Sequence, residues 1–213
     1  MSDTKRANFN KGTTPPETLT VEESEKLLDE LLQKTITGWS AWRNLRNYTI
    51  ALFMLDAGLR VGEVCRLYVS DLIIAGIPVR ALNVSERIAE KRCTRIVPLT
   101  PRLIDALTKI QTLLWSAFDN EKCPYAFFNQ NKLEHLTTRQ IQRIIGAASV
   151  RAFNRYIHPH ILRHTFATRL MRVTNSSVVQ QLLGHKHITS TQVYTHPNGD
   201  DCKKAIDGLS TGG

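Results

Sequence analysis

His160-Ile161-Leu162-Arg163-His164, followed by Leu183-Gly184-His185 and then by Tyr194, is the stretch on which the reading of this chain turns. Placed on a helix, His160 and Arg163 are three apart and share a face, while Leu162, Phe166 and Leu170 fall on another face and are expected to be buried. A histidine beside an arginine can grip one phosphate, the arginine through two parallel hydrogen bonds. Tyr194 offers an oxygen nucleophile, although a phenol with a pKa near ~10 is a poor one at neutral pH. Cations at the same phosphate favour the phenolate and stabilise the charge that builds on a pentavalent transition state. A second arginine, Arg60, stands far upstream in Gly58-Leu59-Arg60-Val61-Gly62-Glu63. Together these residues point to DNA strand cleavage through a phosphotyrosine bond.

The charge pattern leads the same way. Between His135 and Gly199 there is no Asp or Glu, whereas the stretch carries Arg139, Arg143, Arg151, Arg155, Arg163, Arg169, Arg172, Lys186 and all 7 histidines. The rest of the chain is nearly neutral, so most of the net charge of +9 sits there. Charge so one-sided repels itself unless a polyanion lies against it, and phosphate contacts supply most sequence-independent affinity for nucleic acid. The plainer alternative is a solvated basic face with no partner. Arg139 and Arg143, on a helix expected from Thr137 to Ser149, are the candidate DNA contacts outside the catalytic set.

With 213 residues, 42% of them hydrophobic, the chain is long enough to bury a real core. It has no apolar run of about 18 residues, which excludes a membrane-spanning helix, and Met1-Ser2-Asp3-Thr4-Lys5 is too polar for a signal peptide. Cys65, Cys93, Cys123 and Cys202 are scattered without a CxxC pair, so they read as free intracellular thiols of a cytoplasmic protein rather than disulfides or zinc ligands.

Along the chain, residues 1–17 are polar, contain Gly12, Pro15 and Pro16, and read as a tail or interdomain linker. Thr20-Val21-Glu22-Glu23 is a capping box opening an amphipathic helix through Leu27, Leu28, Leu31 and Leu32. A second helix is expected from Ser40 to Ala57, burying Trp42, Leu45, Tyr48, Leu52 and Leu55 and stopping at Gly58. A short one follows from Val61 to Leu67. Between Asp71 and Pro98 the period changes: Val79–Val84 and Thr94–Pro98 read as strands, with Asp71–Ile74 as a candidate third. Thr100-Pro101 starts a helix reaching Phe118, and helices are also expected from His160, Asn175 and Thr189. The fold class is therefore mainly α with a small antiparallel β-sheet.

The ordered set of these motifs resembles the catalytic domain of the tyrosine recombinase (phage integrase) family, over Thr18 to Tyr194. The elements that carry the resemblance are Pro16-Glu17-Thr18-Leu19-Thr20 before the first helix, Gly-Leu-Arg around Arg60, and a hairpin closing on Arg95-Ile96-Val97-Pro98-Leu99. They continue with the His-x-x-Arg-His helix, Leu-Gly-His, and Val-Tyr-Thr-His at Tyr194. The resemblance implies that Arg60 and Arg163 bind the nonbridging oxygens of the scissile phosphate. It implies His160 as proton acceptor or hydrogen-bond partner for the tyrosine, and His185 as a phosphate ligand and buttress. Lys91 would be the general acid and Tyr194 the nucleophile giving a 3′-phosphotyrosine, with Glu63 supporting the site. Neither metal nor ATP is implied, because the energy of the broken bond is kept in the protein-DNA ester. The implied partners are double-stranded DNA, further copies of the chain in a tetramer on that DNA, and accessory DNA-bending proteins.

The chain also departs from the family pattern. Gly62 stands where a serine is common. The hairpin reads Ala89-Glu90-Lys91-Arg92-Cys93 instead of Gly-Lys-Gly, leaving Arg92 as an alternative to Lys91. Only a short tail precedes the catalytic domain, taken as residues 18–196, where family members usually carry a helical DNA-clamping domain. The chain is thus either a piece cut at the linker or a minimal enzyme relying on partners. Residues 197–213 form a tail, with Ala205, Ile206 and Leu209 as one apolar edge, that in the family packs on a neighbouring protomer. A zinc site from His160, His164 and His185 is disfavoured, because Ile161 occupies the place of the general-base glutamate in HExxH. A non-catalytic DNA binder of the same fold, and a type IB topoisomerase-like enzyme, are the remaining alternatives.

Overall fold

The computed structural model describes residues 18–33, 38–89, 93–115, 123–129, 133–184, 203 and 206–209. Helix α1 (Val21–Leu32) opens on the expected capping box: the Glu23 amide donates to Thr20 Oγ1 at 3.1 Å and the Thr20 amide to Glu23 Oε2 at 2.9 Å. Leu27, Leu28 and Leu31 are buried, but Leu32 is exposed. One residue on from Leu31, it lies about 100° further round the helix.

Helix α2 (Gly38–Leu55) is the axis of the molecule. It begins and ends two residues earlier than expected, and it is not amphipathic along its second half. Every residue from Ile50 to Leu55 is buried, because α1, α5 and α7 all pack on α2. A helix apolar all round is one covered all round. Tyr48, expected in the core, is only partly buried. The chain then turns through Gly58, at φ +59°, into α3 (Val61–Cys65), which stops short of Leu67.

The β-structure differs from the expected sheet. Asp71 accepts a hydrogen bond from the Tyr68 amide at 2.7 Å, and this cap turns Val69–Leu72 into the short helix α4. Ile73–Ile74 (β1) pairs with Ile77–Pro78 (β2) instead of joining the main hairpin. That hairpin is Ala81–Val84 (β3) against Arg95–Pro98 (β4), with Leu82 opposite Val97 in the core. A third ladder joins Phe128–Asn129 (β5) to Glu134–His135 (β6). Among the described residues there are thus three separate two-stranded ladders.

Helix α5 (Pro101–Ile110) has Thr100 as its cap and passes into a π-helical turn at Gln111–Trp115. Its expected end at Phe118 lies outside the described residues. Helix α6 (Thr138–Phe153) runs beyond Ser149, α7 spans Pro159–Val173 with His158 as its cap, and α8 spans Ser176–Leu183 with Asn175 as its cap. Leu162, Phe166 and Leu170 are fully buried as expected. The helix expected from Thr189 lies outside the described residues. Ile206 is buried and Leu209 packs against the core of this same chain. No helix among the described residues is long and apolar enough to cross a membrane.

Candidate active site

The site is assembled where the end of α2, the start of α3, the hairpin and the α7–α8 pair meet. Arg60 is the cap residue of α3, and Glu63 reaches back so that its Oε2 accepts the Arg60 amide at 2.8 Å. The same carboxylate sits 3.3 Å from the Arg60 guanidinium and 4.0 Å from that of Arg163. Two arginines far apart in sequence therefore converge on one buried carboxylate. Arg60 keeps 16% of its side chain exposed while Glu63 has none, so the cation is the group with access to the surface.

Arg163 is held from two further directions. Its guanidinium donates to the carbonyl of Gly58 and, at 2.7 Å, to the carbonyl of Leu183 at the end of α8. His160 and Arg163, expected to share a face, differ in burial. Arg163 is buried, whereas His160 is exposed and stacks on His158, with ring centroids 5.2 Å apart. On a helix flanked by α2 and α8, an inward-turning arginine is stable only because carbonyls and a carboxylate meet it.

Sequence reasoning gave no role to Arg95, the first residue of β4. Its guanidinium grips Glu63 with two bonds, 2.9 Å to Oε1 and 2.7 Å to Oε2, and its Nε donates to the Leu182 carbonyl at 2.7 Å. Only 2% of its side chain is exposed. The signal was present: Arg95 alternates with Val97 on the core face of β4, and an arginine at such a position demands a buried partner. Burial alone would raise the Glu63 carboxyl above its usual range. The hydrogen bonds and charge of Arg95, the Arg60 amide and the Arg163 charge outweigh burial and hold it lower.

Gly184 closes α8 at φ +64°. A Cβ there would lie 3.2 Å from Arg95 Cδ and 3.3 Å from Cys93 Cβ, so the glycine of Leu-Gly-His serves both a left-handed turn and a close approach. His185, Lys91 and Tyr194, with the alternative Arg92, lie outside the described residues. Arg139 and Arg143 lie on α6, one turn apart and both exposed.

The acid-free stretch is less one-sided in the folded protein than in the sequence. Arg151 pairs with Glu30, and Arg155 lies 2.6 Å from Glu23, both carboxylates on α1. Arg169 donates to Ser24 Oγ at 2.7 Å. Arg151 is paired because folding lays α1 along α6, and Arg169 of α7 also reaches α1. Among the described residues no three His, Cys, Asp or Glu side chains gather as a metal site.

The model of the phage integrase family matches residues 17–200. A tyrosine recombinase XerC of Bacillus licheniformis is 35% identical over 187 residues, which are 84% of this chain and 58% of the relative. A tyrosine recombinase of Pseudothermotoga lettingae is 32% identical over 195 residues, 91% of this chain and 61% of its own. The chain thus spans about three fifths of the curated relatives it matches. The crystal structure of XerA recombinase superposes with a TM-score of 0.66 at 26% identity, over 93% of this chain and 65% of that one. XerH recombinase bound to its difH substrate shares the fold, with a TM-score of 0.63 over 84% of this chain and 50% of that one. A match running through nearly all of the described helices, in a chain whose two spaced arginines meet on one carboxylate, makes this protein a member of the phage integrase family.

Proposed function

We propose that this chain is the DNA-cleaving part of a site-specific recombinase that cuts and rejoins strands through a 3′-phosphotyrosine. The convergence of Arg60 and Arg163 around Glu63 is the observation that supports the reading, because it gathers on one carboxylate two guanidinium groups of the kind that hold a phosphate. In the proposed step the Tyr194 oxygen attacks phosphorus and passes its proton to His160. The bond to the 5′-oxygen breaks, and that oxygen takes a proton from Lys91. Arg60, Arg163 and His185 hold the nonbridging oxygens as charge develops on them. The P–O bond to Tyr194 replaces the one broken, so rejoining is the same step reversed by a 5′-hydroxyl.

Residues 18–196 are proposed as the catalytic domain, 1–17 as a linker, and 197–213 as a tail that leaves its own chain, on whose core Ile206 and Leu209 pack here, for a neighbouring copy on DNA. Double-stranded DNA is the proposed substrate, bound by a tetramer, with DNA-bending proteins as accessory partners and the cytoplasm as the place of action. Arg139 and Arg143 are proposed as DNA contacts, supported by their exposure on one face of α6.

The test is a denaturing gel of the protein mixed with labelled DNA carrying the sequences that flank its gene, without metal or ATP. A slow-migrating covalent species formed by wild type and absent from Tyr194→Phe is expected. A covalent band surviving in Tyr194→Phe would remove that tyrosine as nucleophile. Retardation on a native gel with no covalent band from either would make the chain a binder only.

A further inference from the structure

Glu63 is shared unequally among its three arginines. Arg95 takes both carboxylate oxygens, at 2.9 and 2.7 Å, while the Arg60 guanidinium stands at 3.3 Å and that of Arg163 at 4.0 Å. Arg95 is itself turned wholly inward: Nε is on the Leu182 carbonyl at 2.7 Å, a terminal nitrogen is on the Cys93 carbonyl at 3.4 Å, and Gly184 closes against its Cδ. Both of its terminal nitrogens are on Glu63 and only 2% of the side chain is exposed. Its charge is spent on Glu63.

We infer that Arg95 is a positioning residue that saturates the Glu63 carboxylate and thereby keeps the charge of Arg60 and Arg163 available to a phosphate. The inference rests on the proposed cleavage function. Its physical basis is that a buried carboxylate deprived of its closest partner recruits the next ones, since attraction is strong and unpaired charge costly away from water. Without Arg95, Glu63 draws Arg60 and Arg163 onto itself and competes with the phosphate for both. The carboxylate is needed to hold the Arg60 amide at 2.8 Å, and therefore the α3 turn. Arg95 lets it do so without quenching the cations beside it.

The experiment compares single-turnover cleavage by wild type, Arg95→Gln, and the double variant Arg95→Gln/Glu63→Gln, with Tyr194→Phe as the blank. Each is run at saturating DNA on two substrates: an ordinary phosphodiester, and one whose scissile linkage is an uncharged methylphosphonate. Arg95→Gln is expected to bind DNA as wild type does and to cleave the phosphodiester about 10²-fold more slowly, the scale of losing one charge-stabilising donor. On the methylphosphonate, which has no nonbridging charge to neutralise, the deficit should fall below about 5-fold, again as an order of magnitude from electrostatic stabilisation. A purely structural role would reduce both substrates equally, and that result would overturn the inference. The double variant removes both members of the buried pair and should fold even if Arg95→Gln alone does not. It should cleave the phosphodiester at least about 5-fold faster than Arg95→Gln does, because no carboxylate remains to compete. A folded, DNA-binding double variant as slow as about 10²-fold below wild type would also overturn the inference. If wild type forms no Tyr194-dependent adduct on either substrate, the cleavage reading itself fails, and this inference falls with it.

Discussion

The carbonyl oxygen of Gly58 accepts a hydrogen bond from the guanidinium of Arg163, across 105 residues of sequence. The turn that ends α2 therefore helps to set the arginine of α7, and the glycine is what allows the turn. Gly58 lies at φ +59°, and a Cβ there would come within 2.4 Å of Phe166 Cδ1, a ring that is fully buried. Gly58→Ala would add left-handed strain of about 1–2 kcal/mol and overpacking of about 1–3 kcal/mol. The expected result is a loss of roughly 2–5 kcal/mol in a two-state denaturant or thermal melt. Below that melt, cleavage should fall further than DNA binding, because the displaced carbonyl is one of the holders of Arg163.

Glu63 makes the site acid-sensitive in a defined direction. Its carboxyl is held below the usual range in the folded protein, so its ionised form contributes stability that is fully present above the unfolded carboxyl value of about 4.3. That contribution is lost as pH falls through the lower, folded value. Glu63→Gln mimics the protonated state and leaves Arg95 buried without its counter-ion, costing about 3–5 kcal/mol near neutrality. The gap in melting temperature between wild type and Glu63→Gln should be widest at pH 6–7, taken as roughly two units above that carboxyl value, and should narrow steadily on acidification. A constant gap across the acid range would mean that folding leaves the Glu63 carboxyl at its unfolded value.

How much of this was readable beforehand depends on the range of each signal. Arg60, Arg163 and Glu63 were legible as candidates, the glutamate only through the family resemblance of the motif around it. Their convergence was not, since it depends on how α3 and α7 pack. Arg95 carried a local signal, a cation at a core position of an alternating strand, that lacked meaning until Glu63 was seen opposite it. The β5–β6 ladder left no periodicity to find, because two-residue strands are shorter than any pattern. The third strand was misread because Asp71 could cap a helical turn as readily as begin a strand. The partners of Arg151 and Arg155 lie 121 and 132 residues away, so a count of charges along the chain assigned both to the basic face.

Gly184 tests the link between the α8 terminus and the hairpin. At φ +64° with Arg95 Cδ 3.2 Å from its would-be Cβ, Gly184→Ala should cost about 1–2 kcal/mol from left-handed strain alone. The melting temperature is expected to fall by roughly 2–8 °C, at about 2–4 °C per kcal/mol for a chain of this size. The companion variant Gly76→Ala meets no heavy atom within 4 Å although its φ is +76°. It isolates the backbone cost, and Gly184→Ala should be the more damaging of the two to covalent-complex formation.

The division of the arginines into inward and outward sets gives the DNA-binding prediction its contrast. Arg139, Arg143 and Arg151 are all exposed on α6, but Arg151 is paired with Glu30 of α1. Each phosphate contact contributes about 0.9 to the slope of log affinity against log salt. Replacing Arg139 and Arg143 together by Gln should reduce that slope by about 2 if each meets a phosphate, and should weaken binding similarly for specific and unrelated sequences. Arg151→Gln removes one charge, half as much, and leaves Glu30 without its partner, so its slope should change by less than about 0.5, with a stability loss of at most about 1 kcal/mol. Titrations at several salt concentrations separate the two outcomes. A slope change for Arg151→Gln half that of the double variant would mean that binding follows net charge alone, and that α6 presents no particular face to DNA.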